Sequence, residues 1–584
     1  MECQKNVASE EFADFIISNN TYDLDGVLKD NTGACADYAD SQFSILYVPM
    51  EDAVPITTHK YKYFSIPKLY TLLDTSSLEA SGIIETINQP VLNLRGQGTI
   101  IGFIDTGIDY RNPLFRHVDG RSRILGIWDQ NLPSENGTNE LPPGIPGFTV
   151  NDTIIYGTEY TSEQINLALA SEQPLSVVPS IDENGHGTFI AGIAAGSESE
   201  NSDFIGVAPE CNIAVVKLKE SKKYLRDFYC IQDSAVAYQE NDIMMGIKYL
   251  ALVSARYRMP LVICIGLGTN LGSHEGSSPL GLLLRRANLI TGFASVVATG
   301  NEVGRHHHFL GNITSNMEYE DVELLVGPDE KGFVMELWAS TPELYTVGFV
   351  SPGGQVIQRL PLDSENDTLV TFTLENTQIS VHYGISEQGS GSQFIMMRFV
   401  SPTHGIWRIR VYNSLYITGS YHMWLPITGF ITEHTVFLNP DPFTTITEPG
   451  NTYSSITVGA YNHRDGSLYI HTGYGFNRVN FLKPNLVAPG VDVYGPGISG
   501  ALSESGIPMT YQSGSSIAAA HVAGAAAVLM SWGIVQGHNL SMNSASIKTY
   551  LLRGADRNPA YIYPNREWGM GVLNLYQSIL RLRE

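Results

Sequence analysis

The spacing of apolar and polar residues divides the chain into regions of different character. From about residue 76 to 304, continuous apolar runs such as 213–218 (IAVVKL) and 261–267 (LVICIGL) predict buried strands. The run from Asp233 through Tyr249 predicts a helix between them. Alternation of this kind is typical of a parallel sheet covered by helices on both faces. The fold class expected for this part of the chain is therefore α/β.

Residues 305–445 follow a shorter period. Alternating segments such as FVMELWAS, TLVTFTL and GIWRIRVYN recur between turns rich in Gly, Pro, Asn and Asp, which predicts an antiparallel, jelly-roll-like β-sandwich. The earlier pattern resumes over residues 446–584, so we expect the sandwich to be inserted in one α/β domain. Residues 1–75 contain short apolar runs between polar turns and predict a small α+β unit.

Residues 511–529, YQSGSSIAAAHVAGAAAVL, place hydroxyl groups at the start of a helix that is too apolar to be anything but buried. A helix start carries unpaired N–H groups and a partial positive charge, which would stabilise an oxyanion beside Ser516. The alternative is a core helix with a serine N-cap, which is common.

Two upstream segments supply the partners that such a serine needs in a hydrolase. In residues 99–109, TIIGFIDTGID, a buried strand is predicted to end at Asp105, where open α/β sheets place their chemistry. In residues 182–196, DENGHGTFIAGIAAG, His186 stands between two glycines at the start of a second small-residue helix. Taken alone, each residue has an ordinary alternative to a catalytic role: Asp105 is typical of a turn, and His186 is typical of a helix start.

Together these segments, in the order Asp, His, Ser, resemble the subtilisin-like serine proteases, or subtilases. The resemblance implies that Asp105 orients the imidazole, that His186 is the general base and acid, and that Ser516 is the nucleophile. Ser515 competes for this last role, but the family pattern Gly-Thr-Ser-Met-Ala places the nucleophile at Ser516. His521 lies beyond reach of the start of its own helix, so His186 is kept as the base.

Further segments extend the resemblance. Residues 294–302, ASVVATGNE, are similar to the oxyanion segment of the family, which implies that the Asn301 side chain and the Ser516 backbone N–H bind the oxyanion. By resemblance, Gly266, Leu267 and Gly268 form the edge strand that pairs with the substrate backbone. Gly266 departs from the family, which usually has Ser there.

The residues that follow position 76 resemble the mature N-terminus of a subtilase, so the resemblance makes residues 1–75 a propeptide, an inhibitor and folding chaperone that the enzyme cleaves at the join between Leu72 and Ser76. The domain boundaries expected are then 1–75, 76–304 with 446–584 for the catalytic domain, and 305–445 for the insertion.

Composition narrows the range of partners. The formal charge of −24 argues against nucleic acid or an anionic membrane surface. No apolar run is expected to span a bilayer, and the acidic N-terminus does not have the pattern of a secretory signal. Five scattered cysteines show no disulfide framework and no zinc spacing. We therefore expect an intracellular protein.

No metal or other cofactor is indicated, and calcium dependence is left open. The run His306-His307-His308 suggests a metal site at first sight, but adjacent histidines on a loop do not converge on one ion. A solvated loop is the prediction for this run.

The absence of a signal, the few cysteines, the short propeptide and the jelly-roll-like insertion are together similar to the Csp-type germination proteases of clostridial spores. This resemblance implies limited proteolysis of the zymogen of a spore-cortex hydrolase, within the spore. Two alternatives stay open, a pseudoprotease that acts as a signalling or binding partner and a general intracellular subtilase. Because Asp105, His186, Asn301 and Ser516 are all present, the enzyme is favoured over the pseudoprotease.

Overall fold

The structure is a computed structural model. It describes residues 9–19, 33–72, 94–133, 139–140, 153–198, 204–415, 419–502 and 506–583, together with residues 7, 81, 83 and 86. Apart from Leu72, the predicted cleavage region 72–76 lies outside these residues.

The strands are β1 (Phe12–Ser18), β2 (Cys35–Tyr38), β3 (Phe43–Pro49), β4 (Leu69–Leu72), β5 (Ile100–Asp105), β6 (Ile124–Asp129), β7 (Asn139–Glu140), β8 (Thr153–Ile154), β9 (Thr158–Thr161), β10 (Asn212–Lys217), β11 (Tyr238–Gln239), β12 (Leu261–Ile265), β13 (Leu267–Gly268), β14 (Phe293–Ala298), β15 (His308–Asn312), β16 (Tyr319–Val326), β17 (Gly332–Ala339), β18 (Leu344–Val350), β19 (Val356–Ile357), β20 (Thr368–Phe372), β21 (Thr377–Gly384), β22 (Gln393–Val400), β23 (Gly405–Leu415), β24 (Ser420–Trp424), β25 (Val436–Phe437), β26 (Ile456–Tyr461), β27 (Leu486–Pro489), β28 (Val493–Leu502) and β29 (Pro508–Gln512). The α-helices are α1 (Met50–Ala53), α2 (Ser162–Ala170), α3 (Pro174–Val177), α4 (His186–Ala195), α5 (Lys223–Tyr229), α6 (Glu240–Tyr257), α7 (Pro279–Ala287), α8 (Ser515–Met530), α9 (Ser544–Gly554) and α10 (Leu575–Leu580).

A mostly parallel sheet of eight strands organises the α/β domain, in the order β27-β26-β14-β12-β5-β10-β6-β9. The pairs are parallel except that β9 runs antiparallel to β6 at one edge. This confirms the predicted α/β class. Because all parallel strands end at the same edge, β5 delivers Asp105 and β14 delivers the residues after Ala298 to one line.

Helices cover both faces of this sheet. Along β5, Ile101 and Phe103 join the core that contains α4 and α8, whereas Ile100 and Ile104 join the core that contains α6 and α7. Such alternation with period two is what a strand buried on both faces produces. All residues of α4 and of α8 are buried, which explains why neither helix shows a polar face in the sequence.

Residues 308–437 form two antiparallel sheets with the strand orders β15-β24-β17-β22-β21-β20 and β19-β18-β23-β16-β25. They share a core of their own, to which β23 contributes Trp407, Ile409 and Val411 at alternate positions. The chain leaves the parallel sheet after β14 and returns to it at β26, which pairs with β14. The two sheets therefore lie between adjacent strands of the α/β domain.

The N-terminal residues form a small antiparallel sheet, β1-β3-β2, which is attached to the α/β domain by buried ion pairs. Lys222 Nζ lies 2.6 Å from Asp14 Oδ1, and Lys248 Nζ lies 3.2 Å from Asp37 Oδ1. On the other side, Tyr63 donates a short hydrogen bond to Glu336 of the insertion. The N-terminal unit is thus held by both neighbouring parts of the chain.

The predicted helix from Asp233 through Tyr249 is displaced in the structure, where α6 begins at Glu240 and continues to Tyr257. Its start is delayed because β11 is extended and pairs with β4, a tertiary contact that the local pattern does not contain. Its end is set by Arg258, whose φ of 53° leaves the helical region.

Two features of the structure concern the inferences from composition. Ser515–Val535 has the length and hydropathy of a membrane span, but 89% of its apolar window is buried inside the protein, which does not contradict the prediction that no run spans a bilayer. Cys35 is disulfide-bonded, although the cysteine spacing gave no sign of a disulfide.

Candidate active site

Asp105 is the last residue of β5 and its side chain is fully buried. Its Oδ1 accepts a hydrogen bond of 2.8 Å from the backbone N–H of Thr106 and lies 2.7 Å from His186 Nδ1. A buried carboxylate needs such partners, because burial without them is costly. Asp105 is therefore placed to receive the Nδ1 proton of the imidazole.

His186 is the first residue of α4, and a buried carboxylate holds this helix start in place. Asp182 Oδ2 accepts from the backbone N–H and the hydroxyl of Thr188, at 2.8 and 2.7 Å. Asp182 Oδ1 accepts from the hydroxyl of Thr106, at 2.8 Å. Because Thr106 directly follows Asp105, Asp182 ties the start of α4 to the end of β5 and so fixes the position of the imidazole.

Ser516 lies in the first turn of α8, and its Oγ is 3.0 Å from His186 Nε2. With the Nδ1 proton directed at Asp105, Nε2 of the neutral ring accepts the hydroxyl proton of Ser516. The structure thus brings the three residues singled out in the sequence, Asp105, His186 and Ser516, into one chain of hydrogen bonds.

Ser515, the competing nucleophile, points to a different partner. Its Oγ accepts from the backbone N–H of Gly300 at 3.1 Å and donates to the Gly300 carbonyl at 3.2 Å. Gly300 has a φ of 87°, and a Cβ there would lie 2.5 Å from Thr447, so both conformation and space require glycine. Ser515 therefore joins the start of α8 to the segment after β14.

Asn301 follows Gly300 at this junction. Its Oδ1 accepts from the backbone N–H of Ser515 at 3.1 Å. Its amide nitrogen makes no hydrogen bond to any residue that the structure describes, so this donor is available for a ligand beside Ser516. Because the Ser515 N–H fixes the carbonyl oxygen of the Asn301 amide, the N–H₂ group is held in position to donate to an oxyanion.

Gly266 lies against the same residues. A Cβ at this position would stand 3.0 Å from Ser516 Cβ and 3.2 Å from Cε1 of His186, so a larger residue would need its neighbours to yield. Leu267 and Gly268, which follow it, form β13. The predicted substrate-binding strand therefore runs directly beside the serine and the histidine.

β13 is paired in the structure. β4 lies between β11 and β13 and is antiparallel to both, with Leu72 opposite Leu267 and Thr71 opposite Gly268. A strand of the N-terminal unit thus occupies the edge that the family resemblance assigns to substrate.

The prediction of a solvated loop for the histidine run is wrong for two of its residues. His306 is exposed, but His307 and His308 are 5% and 2% exposed. His308 stacks on Trp424 and its Nε2 lies 3.0 Å from His422 Nδ1. His307 and His308 are buried because they pack against the insertion, a contact that the local sequence of three polar residues does not reveal.

Glu302 joins this run to the oxyanion segment. Its Oε2 lies 2.7 Å from His307 Nδ1 and accepts from Asn270 Nδ2 at 3.1 Å, and its Oε1 accepts from the backbone N–H of Thr428. Burial alone would raise the pKa of Glu302, but the bonds to His307 and Thr428 outweigh it and lower the pKa. The residue after Asn301 is therefore an anchored carboxylate.

Asp182 and Glu448 were not predicted as site residues from the sequence. The signal for Asp182 was present, a carboxylate ahead of a helix start. Glu448 gave none, because its role depends on tertiary contacts. Its backbone exchanges two hydrogen bonds with Thr269, next to β13, and burial raises the pKa of its carboxyl from 4.5 to about 7. Within the described residues, no group of His, Cys, Asp and Glu side chains is arranged to hold a metal ion.

The parallel sheet, the Asp105–His186–Ser516 chain and the adjacent Asn301 define a subtilisin-type site. The sequence profile of the subtilase (peptidase S8) family matches residues 96–322 and 438–571, and the chain belongs to this family. The unmatched stretch between these ranges lies within the insertion.

Among solved structures, the chain is similar to the CspB protease of Clostridium perfringens, with 31% sequence identity and a TM-score of 0.74 over 86% of this chain and 97% of that one. It is also similar to the subtilisin-like protease SBT2.2 of Arabidopsis thaliana, with 22% identity over 74% of this chain and 54% of the relative. The SBT2.3 protease of the same plant is 30% identical over 21% of this chain and 15% of the relative. The chain thus spans about half or less of the length of these curated relatives.

Proposed function

We propose that this chain is a serine endopeptidase in which Ser516 is the nucleophile. The observation that carries the proposal is the continuous chain of hydrogen bonds from Ser516 Oγ through the His186 ring to Asp105, with distances of 3.0 and 2.7 Å. A serine hydroxyl is a weak nucleophile unless a base takes its proton during attack. His186 is in contact with that proton, and Asp105 stabilises the imidazolium that results.

Acyl transfer then follows in two halves. Ser516 Oγ bonds to the carbonyl carbon of the scissile peptide while its proton moves to His186 Nε2. The tetrahedral intermediate collapses, and Nε2 returns the proton to the leaving amine nitrogen, which breaks the C–N bond. A water molecule, deprotonated by the same Nε2, then attacks the acyl carbon, and Nε2 returns that proton to Ser516 Oγ as the C–Oγ bond breaks and the carboxylic acid leaves. No external oxidant or reductant is needed.

The negative charge on the carbonyl oxygen needs donors during both halves. The amide N–H₂ of Asn301 and the backbone N–H of Ser516, at the start of α8, are the donors that we assign. Ser515 contributes indirectly, because its bonds to Gly300 fix the distance between these two groups.

Substrate is proposed to bind as β4 does, as an extended strand on Leu267 and Gly268. Backbone pairing of this kind accepts many side chains and leaves selectivity to the pockets between them. The same pairing supports the proposal that residues 1–75 are a propeptide. After cleavage, this unit would remain as a product-like inhibitor, since its folded body adds contacts that a free peptide lacks.

The natural reaction that we propose is limited proteolysis of the zymogen of a spore-cortex hydrolase during germination, inside the spore. It is supported by the similarity to the CspB protease along nearly the whole of that chain. A pseudoprotease partner and a general intracellular subtilase remain the alternatives.

A labelling experiment separates the enzyme from a pseudoprotease. An organophosphonate reagent with a good leaving group forms a bond to an activated serine Oγ and adds its mass to the protein. We expect labelling of Ser516 in the wild type, slowed while the N-terminal unit occupies the cleft and stoichiometric after long incubation, with none in Ser516→Ala and none at Ser515 in either protein. Incubation of both proteins with the zymogen of a cortex hydrolase then tests the substrate, since only the wild type should release one defined fragment. Labelled protein that leaves the zymogen intact but degrades unfolded proteins would favour the general subtilase instead.

A further inference from the structure

A cavity of about 510 Å³ lies immediately behind the oxyanion segment, on the side of the insertion. One wall is the chain from 304 to 307, and the other is made by the insertion, including residues 404 and 428–436. We call it the histidine pocket and define it by six of its lining residues, Arg305, His306, His307, His404, Thr428 and His434.

Two side-chain donors of the pocket lack a partner among the described residues. The Arg305 backbone N–H donates to the Glu302 carbonyl, but its side chain forms no hydrogen bond or ion pair within the part of the chain that the structure describes, and its Nε is buried without an acceptor. The hydroxyl of Thr428 is likewise buried and unpaired. By contrast, Arg408 and Arg410 on the same insertion each pair with a carboxylate at 3.0 Å. In a chain with a formal charge of −24, a guanidinium that lines a cavity and pairs with no described carboxylate offers a contact for an anion.

The histidine rings add to this lining. His404 Nδ1 lies 2.8 Å from the carbonyl of Val326 and His307 Nδ1 lies 2.7 Å from Glu302, so each ring is fixed by the proton on Nδ1. Nε2 of such a neutral ring is a hydrogen-bond acceptor, which suits an O–H group of the ligand and not an anionic oxygen, so the contacts for the anion are those of Arg305 and Thr428. His306 has a φ of 63°, a conformation that residues other than glycine rarely adopt and that is often found at ligand sites. The lining includes one carboxylate, that of Glu433, which is exposed and does not pair with Arg305.

The side chains that line the pocket indicate the class of ligand. A planar guanidinium with free N–H groups matches a carboxylate or phosphate, which accepts two parallel hydrogen bonds. A metal ion does not fit, since the described residues offer no group of ligands arranged for one. The volume admits a small molecule and is too small for a folded partner.

The pocket contacts the oxyanion segment through two of its own residues. His307 and the backbone N–H of Thr428 both bind the carboxylate of Glu302, at 2.7 and 3.2 Å. Glu302 follows Asn301 directly in the chain. An anion that orders Arg305 and Thr428 therefore acts on the residue that anchors Asn301.

We propose that the histidine pocket is a second binding site, which takes a small anion bearing a carboxylate or phosphate group on Arg305 and Thr428 and thereby adjusts the position of Asn301. The site is separate from the cleft that holds β4. Its effect should appear mainly in kcat, because an oxyanion donor acts on the transition state more than on bound substrate.

Calorimetric titration of the full chain with inorganic phosphate and, separately, with succinate tests the binding, with potassium chloride at matched ionic strength as the blank. We expect saturable binding of at least one anion, and the two titrations show which group the pocket prefers. Arg305→Gln should weaken binding about ten- to a hundredfold, the usual effect of losing a charged hydrogen-bond partner. Arg408→Gln, which removes an arginine outside the pocket, should leave binding unchanged.

The saturating anion should also change the kcat of wild-type hydrolysis and have no effect on Arg305→Gln, whose activity without anion should equal that of the wild type. If Arg305→Gln does not fold, Arg305→Lys replaces it, with an expected partial loss because the charge remains and the paired N–H groups do not. No saturable heat with either anion, or equal affinity in wild type and Arg305→Gln, would overturn the site. Binding without any change in kcat would overturn its link to Asn301.

Discussion

The cleft has two walls that are built in different ways. The reacting wall consists of Asp105, His186, Asn301 and Ser516, side chains from separate segments that meet at the carboxyl edge of the parallel sheet. The binding wall consists of β11 and β13, whose backbones pair with β4. The reaction depends on single side-chain atoms. The occupation of the cleft by β4 depends on backbone hydrogen bonds and on contacts that the N-terminal unit makes far from the cleft. The two properties should therefore be separable by mutation.

Ser516→Ala should break the reacting wall and leave the binding wall intact. We expect hydrolysis to fall on the order of 10⁶-fold, as when a triad member is removed, while β4 stays bound. Steady-state hydrolysis of an unfolded protein measures this. Ser515→Ala is the matched control: it leaves the buried N–H of Gly300 unpaired, which costs about 1 to 3 kcal/mol of stability, but it keeps the nucleophile. If Ser515→Ala proved the more damaging change, the nucleophile would be misassigned.

Lys222→Met should leave the reacting wall intact and weaken the attachment of the N-terminal unit, which holds β4 on the binding wall. It leaves Asp14 buried without its cation, and breaking a buried pair in this way costs about 3 to 5 kcal/mol. The N-terminal unit should dissociate more readily, measured as its loss on size-exclusion chromatography and as a rise in its inhibition constant. Lys223→Met is the control, because Lys223 is 75% exposed and pairs on the surface with Asp227. Equal behaviour of the two variants would show that the buried pair does not hold the unit.

Asn301→Ala sharpens the definition of the reacting wall. Loss of one oxyanion donor should lower kcat by roughly 10² to 10³ with little change in KM, because the donor is used mainly in the transition state. Initial rates over a range of substrate concentrations separate the two constants. A variant altered only in KM would place Asn301 in substrate binding instead.

Glu448→Gln tests how the binding wall responds to pH. The folded-state pKa of Glu448 is raised from 4.5 to about 7, so its contribution to stability is present below pH 4.5 and is lost as the pH rises through 7. The loss in the wild type corresponds to on the order of 3 kcal/mol, and Gln does not titrate. Relative to the wild type, Glu448→Gln should gain stability between pH 4.5 and 8, as measured by denaturant unfolding. Glu318→Gln, at an exposed site, should show no such trend.

The same contrast explains how much of the site could be predicted from the sequence. The reacting wall could be located because each residue lies at a strand end or helix start with a distinctive local pattern, and the structure brings Asp105, His186 and Ser516 within hydrogen-bonding distance. The parallel sheet followed from its apolar runs.

The binding wall could not be predicted in the same way, because pairing of β4 with β11 links residues far apart in the chain. The sequence pattern assigned Tyr238 and Gln239 to a helix, yet in the structure they form a strand beside β4. The burial of His307 and His308 was missed for the same reason, since it depends on contact with the insertion. Local patterns identify residues that act through their own chemistry, and they miss those defined by a distant partner.

Intact-mass analysis of purified wild type beside Ser516→Ala tests the central claim, that the two walls belong to one self-processing protease. We expect the wild type to be cut once near Leu72 to Ser76, with a fragment of about 75 residues co-purifying with the remainder, because attack on a strand already held in the cleft is favoured by proximity. Ser516→Ala should remain full length. An uncut wild type, or a Ser516→Ala protein cut at the same bond in the absence of other proteases, would contradict it.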